Sequence, residues 1–154
     1  MKAYDEEEDL GRQERELRES EKQVKFRLLG PLGQLYNIVV HICNSPSRIA
    51  EFLALAGRRI PLDNRTRWNS WYLMLEVALK HETSLDTYSK AHFEDLEEDY
   101  LSPKDWEKLK RIFDFLRPFY RATMAAQGDG ATLDRVLFTM DIIIQVFTKS
   151  LVSN

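Results

Sequence analysis

The stretch Pro31-Leu32-Gly33-Gln34-Leu35-Tyr36-Asn37-Ile38-Val39-Val40-His41-Ile42-Cys43 decides between a helical and a mixed fold. At its centre, Ile38-Val39-Val40 is a short β-branched run of the kind found in strands. The wider pattern is helical: Leu32, Leu35, Tyr36, Val39, Val40 and Cys43 recur at steps of three and four, and no turn residues closely bound the short run. The spacing predicts a helix over 32–44.

Toward the C-terminus the same period returns. Ser45 suits an N-cap and Pro46 a first helical position; Ile49, Phe52, Leu53 and Ala56 then form one face before Gly57 stops the helix. Residues 57–64, with Arg58, Arg59 and Pro61, read as a basic loop, in which 60–62 could be extended. From Thr66, the residues Trp68, Trp71, Tyr72, Leu75, Ala78 and Leu79 predict a long amphipathic helix that Leu85, Tyr88 and Phe93 extend or restart. The acidic stretch 94–99 is expected to be a solvated loop. Ser102-Pro103-Lys104-Asp105 then supplies a cap, a first-turn proline and an acid at the third position. The helix it opens carries Trp106, Leu109, Ile112, Phe113 and Leu116, and Pro118 should kink or end it, with 119–126 continuing at an angle. After Gly128-Asp129-Gly130, a last helix from Thr132 presents Leu133, Val136, Leu137, Met140, Ile143, Ile144 and Phe147. That broad face calls for a cover from a partner or from further chain.

Toward the N-terminus, residues 1–29 form an acidic, mostly solvated arm in which Glu14, Arg15, Glu16, Arg18, Glu19 and Lys22 could pair along a frayed helix. The expected fold is all-α, a bundle of about five to six helices over 30–154 behind that arm.

Composition narrows the function. With 44% apolar residues in 154, the chain can build a core. A formal charge of -3 gives no overall attraction to nucleic acid, so any DNA contact must be local. Cys43 is the only cysteine, which fits a reducing, intracellular compartment. No signal peptide and no run of membrane-spanning length is present, so a membrane partner is not expected.

Chemistry-bearing motifs are few. His41, His81 and His92 lack the paired spacing of a zinc site and read as ordinary helix histidines. No phosphate loop is present, and the acids at 94–99 lack the glycine turn of a calcium loop, so neither a metal site, a resident cofactor nor a small-molecule substrate is expected. One constellation stands out: Arg58, Arg59, Arg65 and Arg67 beside Trp68 and Trp71 combine cationic donors with flat aromatic surfaces, a mixture that can grip phosphates and stack on an unpaired base. The same residues admit a second reading, in which Trp71 anchors the helix core and the arginines form a solvated loop.

The segment Leu62-Asp63-Asn64-Arg65-Thr66-Arg67-Trp68-Asn69-Ser70-Trp71-Tyr72-Leu73-Met74-Leu75 resembles a signature of the hAT superfamily of DNA transposases, the fungal type in particular. Gly30-Pro31-Leu32-Gly33 with 37–42, Ser45-Pro46-Ser47-Arg48, 105–109, 115–119 and 132–137 resemble family segments as well, so the likeness covers about 30–150. It implies a ribonuclease-H-like transposase interrupted by a helical insertion domain, with three separated acids holding Mg or Mn for strand cleavage and transfer. No Asp or Glu of this chain matches those three. The resemblance therefore implies a truncated, non-catalytic fragment spanning the junction into the insertion, located in the nucleus. By the same resemblance Arg67 and Trp68 lie near DNA ends, giving residual DNA binding with Arg65, Arg58 and Arg59 in support. The alternative is a helical interaction module that docks on another transposase-like chain.

Overall fold

The computed structural model describes residues 2–62 and 68–126, with side chains from 11 to 62 and from 70 to 125. Among the described residues there is no strand: α1 (Lys2–Arg27), α2 (Pro31–Cys43), α3 (Pro46–Ala56), α4 (Trp68–Lys80), α5 (Glu82–Ala91), α6 (Phe93–Leu96), a single 3-10 turn (Glu97–Asp99) and α7 (Pro103–Ala126) follow in order. The all-α expectation holds. The predicted final helix from Thr132 lies outside the described residues. The chain divides into two compact units, Met1–Arg59 with Thr83–Asp105, and Ile60–Glu82 with the chain from Trp106 on.

In the first unit, the helical reading of 31–43 is correct because Leu35, Ile38, Val39 and Ile42 all turn inward, each at most 4% exposed. A strand would have sent alternate members of that set to water. Burial of such side chains contributes about 1.5–3 kcal/mol each. Phe52 from α3 and Leu85, Tyr88, Leu96 and Leu101 complete this core, with the Phe52 and Tyr88 rings edge to face at 6.0 Å. Gly57 ends α3 as expected, in the left-handed conformation at φ 72. Ser45 holds the N-cap position of α3, but its hydroxyl makes no capping hydrogen bond.

The arm is ordered as a helix of 26 residues. Its segment 12–22 is exposed, as composition demands, with Arg15 Nε donating to the Gly11 carbonyl at 2.9 Å. Its last turns instead dock on α2. The Phe26 ring lies 4.3 Å from that of Tyr36, Asn37 Nδ2 donates to the Gln23 carbonyl at 3.2 Å, and Gly33 passes so close to Phe26 that a Cβ would overlap the Phe26 carbonyl.

The acidic stretch is solvated at 94, 95, 97 and 98, but it is not the loop expected of it. It folds as α6 and the 3-10 turn, and Asp99 is only 2% exposed. A buried carboxylate needs charged or hydrogen-bonding partners. Asp99 accepts from Arg27 Nε at 2.9 Å, Arg27 Nη2 at 3.0 Å and Asn37 Nδ2 at 2.9 Å. Arg27 also pairs with Glu98, and Gln34 Nε2 donates to the Glu98 carbonyl at 3.3 Å.

The second unit pairs α4 with α7. The Tyr72 ring is stacked on Phe113 at 4.8 Å and on Tyr120 at 4.2 Å. Residues 113 and 120 are seven apart, two helical turns, so both rings lie on one face of α7. The α7 helix runs through Pro118 without ending there. The stretch that begins at Trp68 breaks at His81 and restarts as α5, one of the two outcomes the sequence allowed. Lys110 pairs with Glu82 at 3.0 Å, and Arg117 lies 5.0 Å above the Phe113 ring.

The start of α7 follows the sequence closely. Asp105 Oδ2 accepts from the Ser102 hydroxyl at 2.6 Å and from the Ser102 backbone N–H at 3.0 Å, while the Asp105 N–H donates to Ser102 Oγ at 3.3 Å. Among the described residues, no helix is long and apolar enough to cross a membrane.

Candidate functional site

Two places carry chemistry. The first is the basic stretch singled out by sequence. Arg58 and Arg59 follow directly on Gly57, whose left-handed conformation turns the chain out of α3, and both side chains are exposed. Among the described residues neither meets a carboxylate within ion-pair distance. Trp68 opens α4, and Trp71 sits half-buried one turn further on. Arg65, Arg67 and the Trp68 ring lie outside the described residues and side chains. The structure therefore presents Arg58 and Arg59 to solvent.

The second place was not anticipated. His41 on α2, His92 between α5 and α6, and Asp95 on α6 each bring one potential ligand atom within 4.8 Å of the others. His41 Nε2 is 3.2 Å from Asp95 Oδ2, and its Nδ1 is 2.9 Å from the Tyr88 hydroxyl. His92 Nε2 is 2.8 Å from Glu51 Oε2 of α3. The two imidazoles meet edge to face at 5.3 Å, and the Tyr88 ring lies 4.5 Å from that of His92.

Burial sets the electrostatics. It holds the His41 imidazole below its ordinary pKa; Arg48 pushes in the same direction, and the hydrogen bond to Asp95 opposes both. Burial also pushes the Tyr88 phenol up to about 12. Burial thus favours the neutral His41 imidazole, whose lone pair can be offered to a ligand. Cys43, its thiol pushed up by burial, is not in the donor group. His81 stands outside it too.

Sequence reasoning missed this group because its members come from 41, 51, 88, 92 and 95, on four separate helices and a turn. The available signal was the spacing of His92 and Asp95, three apart across the start of α6.

A catalytic Mg or Mn site of the kind implied by the transposase resemblance needs an oxygen-rich donor set. Two imidazoles and one carboxylate suit the zinc class of ions instead. The described residues that converge do not fit the implied ion.

A family model, the ZBED1 RNase-like helical domain, matches residues 31–115. A protein of Talaromyces stipitatus called transcriptional regulator tpeD is 30% identical over 80% of this chain. The zinc finger BED domain-containing protein RICESLEEPER 2 of Oryza sativa subsp. japonica is 31% identical over 66% of it. The matches cover 15% and 16% of those two proteins, so the chain spans about a sixth of the length of the curated relatives. No solved structure matches the chain.

Proposed function

The chain belongs to the family of the ZBED1 RNase-like helical domain, and from that premise we propose that it is a helical domain derived from a hAT transposase, without catalysis of its own, that makes weak, salt-sensitive contact with DNA. Arg58, Arg59, Arg65 and Arg67 would hold phosphates, and the Trp68 ring would stack on a displaced base.

The observation that carries this reading is the exposed pair Arg58–Arg59, which meets no carboxylate among the described residues, at the head of the segment that resembles the transposase signature. On a chain of net charge -3, such a pair is a local exception. The names of the two relatives, a transcriptional regulator and a BED zinc-finger protein, are consistent with work on DNA in the nucleus. Three of the described acids have structural uses that fit a reading without catalysis: Asp99 is neutralised by Arg27, Asp105 caps α7, and Asp86 is tied to Lys90 and Tyr100.

The test is fluorescence anisotropy of a labelled DNA hairpin with wild-type protein and with Arg67→Ala/Trp68→Ala, at low and moderate salt. Base stacking contributes about 1–3 kcal/mol, so the double variant should bind about tenfold or more weakly. Equal binding by both proteins, or strand cleavage by pure protein with Mg or Mn, overturns the proposal.

A second reading has its own observation. Leu17 and Val24 of α1 are 62% and 53% exposed, and Leu28 and Leu29 just beyond it are 84% and 54% exposed. The steps of seven and four between 17, 24 and 28 make an apolar stripe of the kind that docks a second helix. Sedimentation of wild-type protein and Leu17→Glu/Val24→Glu decides it: a strictly monomeric wild type ends this reading.

A further inference from the structure

We propose that His41, His92 and Asp95 form a binding site for one divalent ion of the zinc class, tying α2 to the junction of α5 and α6.

The geometry supports it in three respects. First, the donors already converge. A tetrahedral ion with bonds of about 2.0–2.1 Å separates its ligand atoms by about 3.4 Å. Here the three atoms lie within 4.8 Å of one another, and His41 Nε2 to Asp95 Oδ2 is already 3.2 Å. Closing the rest takes side-chain shifts of at most about 1.4 Å, and Asp95, 58% exposed, is free to follow them without disturbing the core.

Second, each imidazole has a hydrogen-bond partner that can fix it, provided His92 ligates through Nδ1. A ligating histidine is ordinarily fixed by a hydrogen bond from its other ring nitrogen. The Tyr88 hydroxyl stands at His41 Nδ1, which leaves Nε2 to face Asp95. Glu51 stands at His92 Nε2 and anchors that ring from α3. Tyr88 is itself wholly buried and fixed by its packing on Phe52.

Third, the local charges accept a cation. Asp95 and Glu51 bring two negative charges to two imidazoles. Arg48, whose Nη1 donates to the His41 carbonyl at 3.2 Å, supplies one positive charge against them. Three protein ligands leave a fourth position for water or an outside ligand. Two imidazoles discriminate against Mg and Ca, which prefer oxygen.

The test uses the whole chain, stripped with chelator and titrated with Co(II) by visible absorption and with Zn(II) by calorimetry. Wild type should bind one equivalent with a tetrahedral or five-coordinate Co(II) spectrum. Asp95→Asn and His92→Gln should each weaken binding at least about tenfold, and Glu51→Gln, one shell out, about tenfold. Circular dichroism checks that each variant folds. Since Asp95 is exposed, its variant keeps the test decisive should His92→Gln unfold. Failure to bind Zn(II) at micromolar concentration, an octahedral Co(II) spectrum, or binding untouched by both ligand variants overturns the site.

Discussion

The two carboxylate oxygens of Asp99 accept from Nε and Nη2 of Arg27, at 2.9 and 3.0 Å, across 72 residues of sequence. This fork joins the end of a charged helix to an acidic turn, two segments that each look solvated when read alone. Asp99 also takes a hydrogen bond from Asn37, so three elements meet at one carboxylate.

Removing that carboxylate leaves a partly buried guanidinium and a buried amide without their shared acceptor. Asp99→Ala should lose about 2–3 kcal/mol in urea unfolding. Asn37→Asp, which places a second carboxylate against the first, should lose at least as much. A change under about 0.5 kcal/mol in both would mean that the fork adds nothing to stability.

Gly33 tests the packing of α1 on α2. Any Cβ there overlaps the backbone of Phe26, which cannot swing aside as a side chain would. Gly33→Ala should cost about 3 kcal/mol or release α1 outright. Loss of protection of the 23–27 amides in hydrogen exchange would report release, and unchanged stability with unchanged protection would contradict the contact.

The acid dependence of stability should carry the signature of His41. Its folded pKa lies below that of the unfolded chain, so between the two the unfolded state binds the extra proton. The stability His41 contributes is present above about pH 6.5, the ordinary histidine value, and is lost as pH falls toward the folded value. His41→Gln should flatten that limb. Tyr88 acts at the other end: with its folded pKa raised to about 12, its contribution holds below about pH 10 and fades as pH rises between the two. Tyr88→Phe should remove that alkaline limb.

Ser102→Ala removes one half of the reciprocal bond that opens α7 and should cost about 1 kcal/mol in thermal unfolding. Arg58→Ala/Arg59→Ala leaves the core alone. If both arginines hold phosphates, the log–log salt slope of DNA binding should fall by as much as about 1.8, from about 0.9 per phosphate contact. An unchanged slope removes them from the interface.

Local signals were legible in proportion to how local their causes are. The α7 cap at Ser102 and Asp105 spans four residues and was read correctly. The period of three and four in 32–43 outweighed the β-branched run at 38–40, and burial of Leu35, Ile38, Val39 and Ile42 shows why. Pro118 does not end the helix, one of the two outcomes expected of it. Helix propensity there is overridden by packing, with Tyr72 stacked on Phe113 before the proline and on Tyr120 after it. Burial of Asp99 was not legible because nothing within the stretch says that Arg27 and Asn37 will arrive from 72 and 62 positions upstream. The histidine group was hidden for the same reason: its ligands are neighbours only once α2, α5 and α6 have packed.

The first unit is also discontinuous, with Thr83–Asp105 closing on a segment that ends at Arg59. On the ribosome, therefore, α1, α2 and α3 emerge and must wait, their inward faces uncovered, until Asp105 has been made and has cleared the exit tunnel. Chains are released at about 5–20 residues per second. For that interval the apolar set on α2 is open to chaperones and to other nascent chains, and slowing translation across 60–105 would lengthen the exposure.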